Sequence, residues 1–153
     1  MSKVPAACFL VTSLIMASAT SADGQQKEKK GQPFDGTWLA VGMEKDGTKL
    51  PADALEKLAI KLTLNGDAYT VTSAGAVIDS GKCNIDTQKK PSPVDITSDL
   101  GQNKGKTTQA IIEVDGENLK ACYDLAGKGR PTQFATQKDS GFTLILYKRE
   151  AKK

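Results

Sequence analysis

Apolar and polar residues alternate along most of this chain, and that period of two constrains its fold more than any other feature. Ile60, Leu62 and Leu64 alternate with Lys61 and Thr63, and Tyr69 and Val71 with Thr70 and Thr72. Val94 and Ile96 alternate with Asp95 and Thr97, and Leu119, Ala121, Tyr123 and Leu125 with Lys120, Cys122 and Asp124. Phe142, Leu144 and Leu146 alternate with Thr143, Ile145 and Tyr147. Successive side chains of a strand point to opposite faces, so each run predicts a strand with one apolar face. Turn residues stand between the runs, with Asn65-Gly66 and Asp115-Gly116 the strongest hairpin signals. The pattern predicts nine short strands near 37–43, 60–65, 68–73, 76–85, 93–98, 107–114, 118–124, 132–137 and 142–149, joined as a meander of antiparallel hairpins.

A sheet of this size has two edges that invite aggregation, and closing it into a barrel removes them. The predicted fold is therefore all-β, an up-and-down antiparallel β-barrel of eight or nine strands, with a two-sheet sandwich as the alternative. One segment breaks the period. Pro51 to Leu58, PADALEKL, has helical spacing, with Ala54, Leu55 and Leu58 on one face. Pro51 suits a first helical turn and Asp53 suits its dipole. This short helix follows the first strand. It is expected either across the barrel mouth as a lid or on the flank against Leu39, Val41 and Met43.

The 153 residues fit one domain. Residues 1–22 read as a signal peptide: Lys3 is the basic start, Cys8 to Met16 form a short apolar run, and small residues before Ala19 and Ala22 offer two cleavage sites, the second favoured. Residues 23–33, DGQQKEKKGQP, lack anchoring apolar residues and read as a disordered linker. The domain spans 34–150, and 151–153 form a tail. An extracytoplasmic protein, periplasmic or secreted, is expected. Such a compartment permits a disulfide between Cys83 and Cys122, and two separate buried thiols are the other reading.

Several chemistries find no support. The formal charge is +3 with basic residues scattered among acids, so no nucleic-acid partner is expected. There is no histidine, which removes Ser-His-Asp and Cys-His catalysis and histidine metal sites together. GQNKGKT (Gly101 to Thr107) has three residues between its glycines where a phosphate loop needs four, and a strand follows it where a helix is required. No enzyme, cofactor or metal is expected.

Phe34-Asp35-Gly36-Thr37-Trp38 holds the only tryptophan, and its GTW matches the Gly-x-Trp signature that opens the first strand of lipocalins. Together with LPADALEKL (Leu50 to Leu58), NGDAYTV (Asn65 to Val71), GKT (Gly105 to Thr107), DGENLKACY (Asp115 to Tyr123), GRPTQF (Gly129 to Phe134) and YKRE (Tyr147 to Glu150), it makes residues 34–150 resemble a family of small exported lipocalin-like domains frequent in planctomycete bacteria. The resemblance implies a lipocalin-like barrel and brings no established activity. It also implies that Trp38 closes one barrel end with an arginine over its ring. Arg149 is the positional match and Arg130 the alternative. If Leu144 faces inward, strict alternation turns Arg149 outward, so a bulge or the opposite register is needed.

Two functions follow. One is a binding module that encloses a small hydrophobic molecule, lined by Ala40, Leu62, Tyr69, Val71, Ile96, Ile112, Tyr123, Phe134 and Leu144. The other is a structural or protein-interaction module, inhibitor-like in one form, whose barrel those same residues fill. An interior cavity of roughly 300 Å3 separates the two. A monomer is expected in either case.

Overall fold

The computed structural model describes residues 31–151. The expected signal peptide, residues 23–30 of the expected linker and residues 152–153 lie outside the described residues. The chain runs through β1 (Gly36–Lys45), β2 (Thr48–Lys49), α1 (Ala52–Leu58), β3 (Lys61–Asn65), β4 (Ala68–Ser73), β5 (Ala76–Ile85), β6 (Ser92–Ser98), a 3-10 turn (Gly101–Asn103), β7 (Thr107–Asp115), β8 (Asn118–Asp124) and β9 (Phe142–Arg149). From β3 to β9 each strand pairs antiparallel with the next. β1 pairs with both β3 and β9, which closes an eight-stranded barrel. β2 adds a short ninth strand beside the far end of β1. The all-β barrel expected from the alternation is the fold the chain adopts.

The hairpin signals act locally. Gly66 and Gly116 take φ of 63° and 58°, the left-handed region that glycine enters without steric cost. The barrel interior collects the inward residues of every strand: Trp38, Ala40, Leu62, Leu64, Tyr69, Cys83, Val94, Ala110, Ile112, Leu119, Ala121, Ile145 and Tyr147 form one buried cluster.

Three expectations are corrected. Residues 132–137 form no strand; 125–141 is one long loop, because β8 pairs directly with β9 and leaves no edge for another strand. In β9 the inward set is Thr143, Ile145 and Tyr147, and Leu146 is exposed. Arg149 shares that inward parity, being paired with Trp38. The third correction concerns β1, where a bulge at Val41 shifts the parity. Ala40 faces Tyr147, Gly42 faces Leu146, and Met43 is turned inward opposite Ile145. The outer face of β1 therefore offers only Leu39 and Val41, not Met43.

Candidate functional site

The barrel end where β1 begins is sealed by a layered plug. Trp38 is fully buried, and its indole N–H donates to the Phe34 carbonyl at 2.9 Å. The Arg149 guanidinium stacks on the indole, 4.0 Å from the ring centroid. It also donates through Nη1 to the Asp35 carbonyl at 2.7 Å and through Nη2 to the Pro33 carbonyl at 3.1 Å. Gly36, at φ 134°, makes room for this: a Cβ there would lie 2.7 Å from Arg149 Nη1. The Asp35 carboxylate ties the turn by accepting from the backbone N–H of Gln32 and Gly66. Phe34, buried in the same cluster, forms the outermost layer. Nothing in the alternation marked Phe34 as part of the plug; the signal lies in the Trp38–Phe34 spacing, which carries the indole hydrogen bond.

Behind the plug the barrel is filled. An interior cavity of about 30 Å3 lies among these side chains. Its walls include Leu62, Tyr69, Ile96, Ile112 and Tyr123 from the expected lining, together with Leu64, Cys83, Ile85, Val94 and Ala110. Ala40 and Val71 also face inward, packed in the core. Leu144 and Phe134 do not belong to the lining. Leu144 lies on the outer face of β9, in a shallow groove with Leu50 and Leu146, because β9 adopts the register that brings Arg149 to Trp38. Phe134 sits in the 125–141 loop, its ring 4.8 Å from Lys120 Nζ.

Polar groups inside are mostly matched to one another. The hydroxyls of Tyr123 and Tyr147 meet at 3.1 Å. Tyr69 donates to the Asp79 carboxylate at 3.0 Å and sits 3.0 Å from the Ser98 hydroxyl, which itself donates to Asp79 at 3.1 Å. Burial pushes Tyr69 and Tyr123 up to about 12 and raises Tyr147 well above the usual tyrosine value. Among the described residues only the Thr143 hydroxyl is buried without a hydrogen-bond partner.

Cys83 and Cys122, the two cysteines among the described residues, are free thiols. Cys83 points into the barrel and lines the cavity, whereas Cys122, on the other face of its strand, lies against the Ala135 carbonyl. The disulfide reading therefore gives way to two separate buried thiols. Burial raises Cys83 to about 11, which disfavours its thiolate.

Arg130, the alternative partner for the indole, is on the barrel flank. Its guanidinium donates to the Val94 and Ala110 carbonyls at 2.8 and 2.7 Å and pairs with Asp95. It pins the 125–141 loop to β6 and β7. The Asp124 carboxylate braces the same loop by accepting from the N–H groups of Ala126 and Gly129.

Helix α1 buries Leu55 in the same cluster as the barrel interior, while Leu39 and Val41 on the outer face of β1 stay exposed. The flank site expected for the helix is thus uncovered. Leu58 is 40% exposed.

A depression lies beside Phe34, at the plugged end. It is an open groove of about 370 Å3, floored by Pro33, Phe34, Pro91, Ile112 and Val114 and rimmed by Lys90, Glu113 and Asp115. Among the described residues no three histidine, cysteine, aspartate or glutamate side chains gather where a metal could be held. No helix among them is long and apolar enough to cross a membrane. Compared with known protein families and with curated proteins, the sequence matches none.

Proposed function

We propose that this chain is an exported, non-catalytic lipocalin-like domain that acts through its outer surface, its barrel interior serving as a packed core. The observation that carries the reading is the interior cavity of about 30 Å3. That is room for a single water, against the 300–1,000 Å3 of small-molecule sites. An eight-stranded barrel is just wide enough for its own side chains to fill, and here bulky residues meet across it. The absence of histidine from the whole sequence fits a role without histidine-based acid–base chemistry.

Native mass spectrometry of protein purified from its source tests the reading. The expected result is the mass of the polypeptide alone. A small molecule retained in the folded protein and released on unfolding would restore an interior ligand.

A second reading has its own observation. The groove beside Phe34, about 370 Å3, falls within the size range of small-molecule sites and joins an apolar floor to a charged rim. Binding of a small amphipathic ligand there would be weakened by Lys90→Glu at the exposed rim, a residue outside the core cluster.

A further inference from the structure

Four of the large apolar side chains that the fold leaves exposed gather at one corner of the barrel: Leu58, Val77, Ile78 and Leu100, at 40, 54, 51 and 42% exposure. Backbone contacts bring them together. The Ala74 N–H and the Ser73 hydroxyl both donate to the Leu58 carbonyl, at 2.9 and 2.7 Å. On the other side the Asp99 N–H donates to the Ser80 carbonyl at 2.8 Å, which sets Leu100 next to the start of β5. Every residue from Ala74 to Ile78 is exposed, and none is charged.

The exposure is built into the strand. β5 carries a bulge: Val71 faces Asp79 but Thr72 faces Val77, so Ile78 is the extra residue. Strict alternation would turn one of two consecutive residues inward; the bulge keeps both Val77 and Ile78 outside. β6 ends at Ser98, opposite Gly81, so residues 76–79 have no strand neighbour on that side among the described residues. Sheet edges are usually protected by lysine or proline, and this one has neither.

The charges beside the patch indicate what covers it. On the Leu58 side α1 carries Asp53, Glu56 and Lys57, a net −1; on the Leu100 side the 99–106 loop carries Asp99, Lys104 and Lys106, a net +1. None of these six forms an ion pair among the described residues. An anionic lipid surface selects a basic excess, which is absent here. A two-fold rotation about Val77 and Ile78 instead sets the acidic flank of one copy on the basic flank of the other, as an isologous contact requires. We propose that this corner is a self-association surface, and that the chain forms a two-fold dimer through Val77, Ile78, Leu58 and Leu100 in place of the monomer expected from the sequence. This holds whatever the rest of the surface binds.

Sedimentation velocity of the full chain across concentration, alone and as Ile78→Lys, Lys104→Glu and Glu56→Lys/Lys104→Glu, tests it. The wild type is expected to dimerise reversibly. Ile78→Lys should sediment as a monomer, with a thermal midpoint equal to that of the wild type at concentrations where the wild type is monomeric, because the residue is exposed. Lys104→Glu should weaken the dimer about tenfold, and the double swap should recover it. A wild type that stays monomeric at millimolar concentration, or a dimer indifferent to Ile78→Lys, overturns the proposal. Binding of the monomeric wild type to vesicles of anionic phospholipid, lost in Ile78→Lys, would assign the patch to a membrane instead.

Discussion

The barrel interior and the layer outside β7 and β8 are both dry, but they are built differently. Inside, side chains from all eight strands pack as one cluster, and the Trp38–Arg149–Phe34 plug belongs to it. Outside, Ile111 and Cys122 are as buried as any core residue yet lie apart from that cluster. They are covered by a loop, with Pro131 nearly inaccessible within it. The interior is held by apolar area summed over many strands. The outer layer depends on a few polar tethers: Arg130 to two strand carbonyls and Asp95, the Asp124 carboxylate, and Thr136 to Glu44. Two arginines therefore do different work. Arg149 completes a core, and Arg130 fastens a cover.

Alkali should break this comparison most completely, because every buried phenol lies in the interior. All three tyrosines face inward, and burial places each folded-state value above the unfolded 10.0, at about 12 for Tyr69 and Tyr123 and well above 10.0 for Tyr147. The folded protein then keeps protons that the unfolded chain loses. The contribution is complete below pH 10 and is lost as pH rises from 10 towards 12 and beyond. Phenolate absorbance and circular dichroism should change together in one cooperative step. Phenolate forming well before the fold is lost would mean that the interior is wet.

Trp38→Ala comes next. Removing a fully buried indole from the plug should cost about 3–5 kcal/mol in chemical denaturation. The loss should be global, with hydrogen exchange accelerated in every strand. A cost below about 1 kcal/mol, the range of surface substitutions, would mean the plug is an ornament on an already closed barrel.

Arg130→Ala should be smaller and local, at about 2 kcal/mol for charge-assisted bonds to buried carbonyls. Exchange should rise in residues 125–141, and Cys122 should become reactive to a thiol reagent while Cys83 stays protected. Equal exposure of both thiols would show that the outer layer and the interior unfold as one unit.

The smallest effect sharpens the account of the interior. Thr143 holds a buried hydroxyl without a partner. Thr143→Val replaces it with a methyl group of the same shape and should stabilise the barrel by about 1 kcal/mol. A loss of stability would show that the hydroxyl has a partner in solution, a water being the simplest.

The order of strands, their turns and the closure of the sheet were legible in the sequence because they depend on local rules. Alternation assigns one face per strand, glycine marks the hairpins, and an unprotected meander of this length is relieved by closing. GTW and YKRE likewise carried the Trp38–Arg149 stack. Parity at the ends of strands was not local. Leu144 and Thr143 both sit in an alternating run, and nothing in that run says which faces inward. The pairing of Arg149 with Trp38, more than a hundred residues away, decides it. The bulges at Val41 and Ile78 reset parity for the same reason: they exist only relative to a partner strand. Residues 132–137 alternate like a strand and become part of a cover, because β8 and β9 had already taken each other's edges. How much space the barrel interior leaves was decided last. The same side chains line a pocket or fill it according to the width of the closed sheet and how the side chains meet across it, and both are properties of the assembled barrel.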